Sequence, residues 1–165
     1  MKKIFLILFL LVLTLVYSVA NAETVLKSGV SVEHVPNAFY GSWRVEAQLE
    51  KTTNYSTFKP RSVDLWNLSR LGNVITLENP FTQAKATIEV SQVEENVIVF
   101  TKTSSYDNKV LKDVVTIRLN GDTFAGYNDI IFETRSLIDG HVLYFDTAKY
   151  LIKGQRVSGS FSIKK

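Results

Sequence analysis

Gly41-Ser42-Trp43-Arg44-Val45-Glu46-Ala47-Gln48-Leu49-Glu50 is the stretch on which the fold turns. Its apolar members, Trp43, Val45, Ala47 and Leu49, fall on every second position, and Arg44, Glu46, Gln48 and Glu50 fill the alternates. Side chains of an extended chain point alternately to opposite faces, so this spacing makes one apolar and one solvated face. The same period returns downstream. Ala86, Ile88, Val90 and Gln92 alternate with Lys85, Thr87, Glu89 and Ser91, and Leu111, Val115, Ile117 and Leu119 share a face opposite Lys112, Thr116 and Arg118. Helical spacing is not sustained anywhere.

Short turn signals punctuate these runs at Gly72-Asn73, Glu95-Asn96, Asp107-Asn108, Asn120-Gly121-Asp122, Asp139-Gly140 and Gly154-Gln155. Asn, Asp and Gly tolerate the positive φ that tight hairpins require. The strands so delimited span 42–50, 62–71, 74–78, 85–94, 97–104, 109–119, 123–138, 141–153 and 156–163. The 123–138 run contains Gly126 and Asn128-Asp129, which predict a bulge or a split.

Eight to ten antiparallel strands joined by tight turns must hide their edges, and closure into a barrel abolishes edges. The expected fold is therefore an all-β, antiparallel up-and-down barrel over residues 39–165, with no C-terminal helix. A two-sheet sandwich of the same strands is the alternative. Only the connection Lys51 to Arg61 is long, and residues 23–38 read as an irregular lead-in.

Upstream, Lys2 and Lys3 precede an almost unbroken apolar run from Ile4 to Val19 and the small-residue site Ala20-Asn21-Ala22. This order predicts a signal peptide of bacterial style over 1–22, cleaved after Ala22, and a secreted or periplasmic destination. An uncleaved anchor is the competing reading, since the run is slightly shorter than the roughly 20 residues a span needs. Removing 1–22 takes two of nineteen basic side chains and no acid, leaving seventeen against sixteen. That near-neutral balance argues against a nucleic-acid partner, which calls for clustered basic residues. The chain has no cysteine, so disulfides, thiolate metal sites and a cysteine nucleophile are excluded.

The segment Asn37-Ala38-Phe39-Tyr40-Gly41-Ser42-Trp43-Arg44-Val45 resembles the opening of lipocalins and the wider calycin superfamily. In that family a Gly-x-Trp begins the first barrel strand, and the Trp plugs the closed end beneath an Arg from the last strand. The resemblance implies those roles for Gly41, Trp43 and Arg156, the last at the head of the final predicted strand. Asn120 to Tyr127 also looks like the hairpin of avidin-like and lipocalin-like barrels. Departures are the missing C-terminal helix and the missing disulfide, so the family's ligand class is not carried over.

No catalytic constellation is legible. His34 and His141 lack metal-ligand spacing, and Ser158-Gly159-Ser160 lacks the strand-turn-helix context of a nucleophile elbow. No metal or cofactor is expected. Polar or aromatic residues that interrupt apolar faces are the candidate ligand contacts: Trp66 and Asn67, Arg135 beside Glu133, and Tyr144, Asp146 and Tyr150 on one face. Facing inward, they would give an apolar cavity a few placed hydrogen-bond groups; facing outward, they are ordinary surface. The expected function is thus a non-catalytic exported binding barrel for a small apolar or amphipathic ligand. The alternative is a protein-binding or inhibitory module acting through the 51–61 loop. An outer-membrane barrel fits less well, because the outward positions of the first and fourth strands are charged.

Overall fold

A computed structural model describes residues 31–158. The signal segment 1–22, residues 23–30 of the lead-in and the end of the last predicted strand lie outside the described residues. Eight strands follow in order: β1 (Gly41–Thr52), β2 (Arg61–Leu71), β3 (Val74–Glu78), β4 (Lys85–Glu94), β5 (Val97–Tyr106), β6 (Lys109–Asn120), β7 (Thr123–Arg135) and β8 (Val142–Ser158). Each pairs antiparallel with its chain neighbour, and β1 pairs with β8, so the sheet closes as an up-and-down barrel. The sandwich is set aside by that last pairing. The only helical turns among the described residues are two 3-10 turns, Val32–His34 and Asn37–Phe39.

Four hairpins are two-residue turns at the predicted places: Leu71↔Val74, Glu94↔Val97, Tyr106↔Lys109 and Asn120↔Thr123 are the flanking pairs. Their first turn residues, Gly72, Glu95, Asp107 and Gly121, all take positive φ between 51° and 59°. A backbone in that region reverses direction in step with the strand twist.

Two break signals prove to be something else. Gly154-Gln155 is not a turn, and 141–153 and 156–163 are not separate strands; β8 runs through as one strand of 17 residues. A Cβ on Gly154 would meet the Phe124 ring at 2.1 Å. The glycine is there to admit that ring. Nor does β7 bulge at Gly126 or Asn128-Asp129, since its pairing with both neighbours is regular until a shift between Thr134 and Arg135. A Cβ on Gly126 would lie 1.9 Å from the Thr116 carbonyl oxygen, so this glycine permits close strand approach. β7 also ends at Arg135 rather than 138.

The packed core fills one end of the barrel. Trp43, Phe39 and Phe100 are fully buried, and Trp66 stacks on Phe124 at 5.9 Å between ring centroids. Phe39 packs edge-on against Phe100 at 5.6 Å. Val35 joins this core as well, so the described part of the lead-in is a stopper for the barrel rather than loose chain, and the packed unit begins upstream of residue 39.

Candidate functional site

At the closed end, the register places Trp43 opposite Arg156 across the β1–β8 pair. The Arg156 guanidinium lies 4.1 Å from the Trp43 ring centroid. Its Nη1 donates to the Tyr40 carbonyl at 2.7 Å and its Nη2 to the Ala38 carbonyl at 2.6 Å, while Nε donates to Asp122 at 2.9 Å. The Trp43 indole N–H donates to the Phe39 carbonyl at 3.0 Å. Gly41, at φ 120°, turns the chain from this stopper into β1. One cation therefore fastens the lead-in, the first strand and the β6–β7 turn together. Arg156 sits near the end of β8, not at the head of a ninth strand.

Above this plug the inward faces turn polar. Lys102 on β5 stands directly opposite Asp113 on β6, with Nζ 3.3 Å from Oδ2. Asn128 on β7 is diagonal to Asp113 and donates Nδ2–H to Oδ1 at 3.0 Å. Tyr150 on β8 is opposite Asn128. Four adjacent strands thus carry a continuous polar line through the interior.

That line borders a cavity of about 200 Å³, with Val45, Trp66 and Ile152 as its apolar part and Asp64 at its edge. Asp113 is 3% exposed, and its Oδ2 has the Lys102 ammonium beside it without a well-formed hydrogen bond; Asn128 Oδ1 is buried without any. A buried carboxylate facing a single ammonium loses more hydration than the pair regains unless its remaining lone pairs are filled. Here the Asn128 amide fills one of them, and the whole group lies in the wall of the cavity. A larger depression of about 740 Å³ lies on the outer wall beside Gln48, Val63, Tyr127 and Leu151, but no buried polar group lines it. The interior site is the stronger candidate.

Of the six residues singled out in the sequence, Trp66, Tyr144, Asp146 and Tyr150 belong to inward registers, opposite Trp43, Thr134, Phe132 and Asn128. Asn67 and Arg135 do not join them. Asn67 is opposite the outward Ser42 and accepts from its hydroxyl at 3.5 Å, and Arg135 pairs with Glu133 on the outer side at the end of β7. The strand pleat dictates this, because neighbours of inward Trp66 and Thr134 must point out.

Asp146 and Tyr150 also fasten a loop, and Tyr150 lines the cavity as well. Asp146 Oδ2 accepts from Asn54 Nδ2 at 3.1 Å and from Thr57 Oγ1 at 3.2 Å, and the Tyr150 hydroxyl donates to the Lys59 carbonyl at 2.9 Å. With Phe58 buried in the core, these bonds fold the β1–β2 loop down over the mouth. Burial pushes the Tyr150 pKa above its ordinary value of 10.0. Tyr144 stands exposed at the rim.

Sequence reasoning missed Asp64, Lys102, Asp113 and Asn128. A signal was present for the central pair. Asp113 falls between Leu111 and Val115 on an otherwise apolar face, and Lys102 two residues after Phe100. Polar interruptions of a period-two face are the trace such a site leaves.

No family profile, characterised protein or solved structure matches the chain.

Proposed function

We propose that the protein is an exported, non-catalytic carrier that holds one small amphipathic molecule inside the barrel, and that it is a lipocalin-like member of the calycin superfamily. The observation that carries the reading is the interior layer of Lys102, Asp113, Asn128 and Tyr150, which lines the 200 Å³ cavity together with Val45, Trp66 and Ile152. A paired carboxylate and ammonium, an amide and a phenol in one layer suit a ligand that brings hydroxyl or amine groups to it, with its apolar part against Val45, Trp66 and Ile152. The kinship rests on Gly41-x-Trp43 with Arg156 stacked on the indole. Export rests on the order of residues 1–22.

Native mass spectrometry of protein purified from its own host tests the reading. A retained small molecule that disappears in Asp113→Asn, with the circular dichroism unchanged, is the expected result. A bare mass in every preparation would sink it. Capture of a protein through the 51–61 loop has less support, because the Asn54, Thr57 and Phe58 side chains and the Lys59 carbonyl are held against the barrel.

A further inference from the structure

In an up-and-down barrel the β1–β2, β3–β4, β5–β6 and β7–β8 connections share one end, here the end opposite the Trp43 plug. Every one of them carries a large apolar side chain in water. Tyr55, Phe81, Tyr106, Leu137 and Ile138 are between 76% and 97% exposed. Each is also accompanied by a basic residue within four positions: Tyr55 by Lys59, Phe81 by Lys85, Tyr106 by Lys109, and Leu137-Ile138 by Arg135. Within the same four positions stand four acids, Glu78, Asp107, Glu133 and Asp139, of which Glu133 is taken up by Arg135 and Asp139 by His141 at 2.5 Å. Among the described residues the opposite end exposes Leu71, Val74 and Val157, and its other two hairpins turn on Glu95-Asn96 and Gly121-Asp122.

Isolated exposed apolar residues are ordinary; a ring of them on separate loop tips around one mouth is not. Separate tips backed by cations suit an interface into which each tip dips while the cations stay at the depth of anionic headgroups.

We infer that the open end docks on an anionic phospholipid surface, with Phe81, Tyr106 and Ile138 entering the headgroup region and Lys59, Lys85 and Lys109 meeting the phosphates. The mouth of the cavity then faces the bilayer. This goes beyond the carrier reading and does not depend on it, since the docking uses no residue of the Asp113 layer.

Flotation with vesicles of phosphatidylcholine, with and without phosphatidylglycerol, tests the inference. Flotation at low salt with the phosphatidylglycerol vesicles is expected, weaker with phosphatidylcholine alone. Phe81→Ser, Tyr106→Ser and Ile138→Ser should each lower binding on the order of tenfold, whereas Leu71→Ser at the far end and Asp113→Asn inside should leave it unchanged. The tip residues contact solvent, so these variants fold. No flotation, equal binding to neutral vesicles, or an equal loss in Leu71→Ser would overturn the inference. So would tip variants that instead dissociate a dimer seen by analytical ultracentrifugation, which would make a second copy the occupant.

Discussion

The two ends of the barrel use the same strands for opposite purposes. At the closed end, Trp43, Phe39 and Phe100 exclude water, and the polar groups of Arg156 and the Trp43 indole are hydrogen-bonded. Toward the open end, Asp113 is buried in an ion pair with Lys102, Asn128 Oδ1 is buried without a hydrogen bond, and the loop tips leave large apolar residues in solvent. The closed end has one exception of its own, the buried Tyr40 hydroxyl without a hydrogen bond; the open end departs further, with an interior ion pair and apolar tips in water. Such departures persist where something other than folding requires them. On the reading proposed above, the closed end carries stability and the open end recognition.

The largest test of that division is Trp43→Ala. It empties the plug and should cost about 3–5 kcal/mol in urea denaturation; a loss below about 1 kcal/mol would mean that the plug is not what holds the barrel. Next comes Arg156→Lys, which keeps the charge but loses the planar stack and the forked bonds to Ala38 and Tyr40. A loss of about 2 kcal/mol is expected, because an ammonium cannot reproduce that geometry. Full rescue by lysine would reduce Arg156 to a point charge.

The middle layer should respond with the opposite sign. Replacing the pair together, Lys102→Met with Asp113→Leu, removes two desolvated charges and should leave stability unchanged or raise it by about 1–2 kcal/mol. A marked fall would recast the pair as a folding element.

The smallest effect concerns pH. Burial raises the pKa of Tyr40 and of Tyr150 above 10.0; the Arg70 guanidinium approaches the Tyr40 hydroxyl without a well-formed hydrogen bond and offsets part of that rise. The folded state therefore holds these protons more tightly than the unfolded chain. Their contribution is fully present below pH 10 and is lost as the pH climbs through the raised values. Tyr150→Phe should make this alkaline decline shallower, measured as urea midpoints between neutral and alkaline pH. An unchanged slope would show that the mouth-side tyrosine takes no part in it.

How much of this was legible beforehand follows the range of the interactions. The turns at Gly72, Glu95, Asp107 and Gly121 were readable because a positive φ depends on one or two residues. Gly126 and Gly154 misled because glycine marks both a turn and a close approach, and what it approaches, Thr116 or Phe124, lies elsewhere in the chain. The candidate ligand residues divided by the same reasoning. Tyr144, Asp146 and Tyr150 shared a face in any register, but Asn67 and Arg135 were grouped with inward residues that the pleat opposes. Asp113 left a local trace, whereas its convergence with Lys102 and Asn128 did not.

By itself the sequence determined the period-two faces, the hairpin turns and the Gly41-x-Trp43 opening, all consequences of backbone preference and side-chain alternation over a few residues. Only the tertiary structure decided that β8 runs unbroken, that Arg156 comes to rest on Trp43, and that an ammonium, a carboxylate and an amide meet beneath the mouth. Those outcomes depend on which strands pair and in which register. Pairing is set by closure of the whole sheet, and no short window of residues contains it.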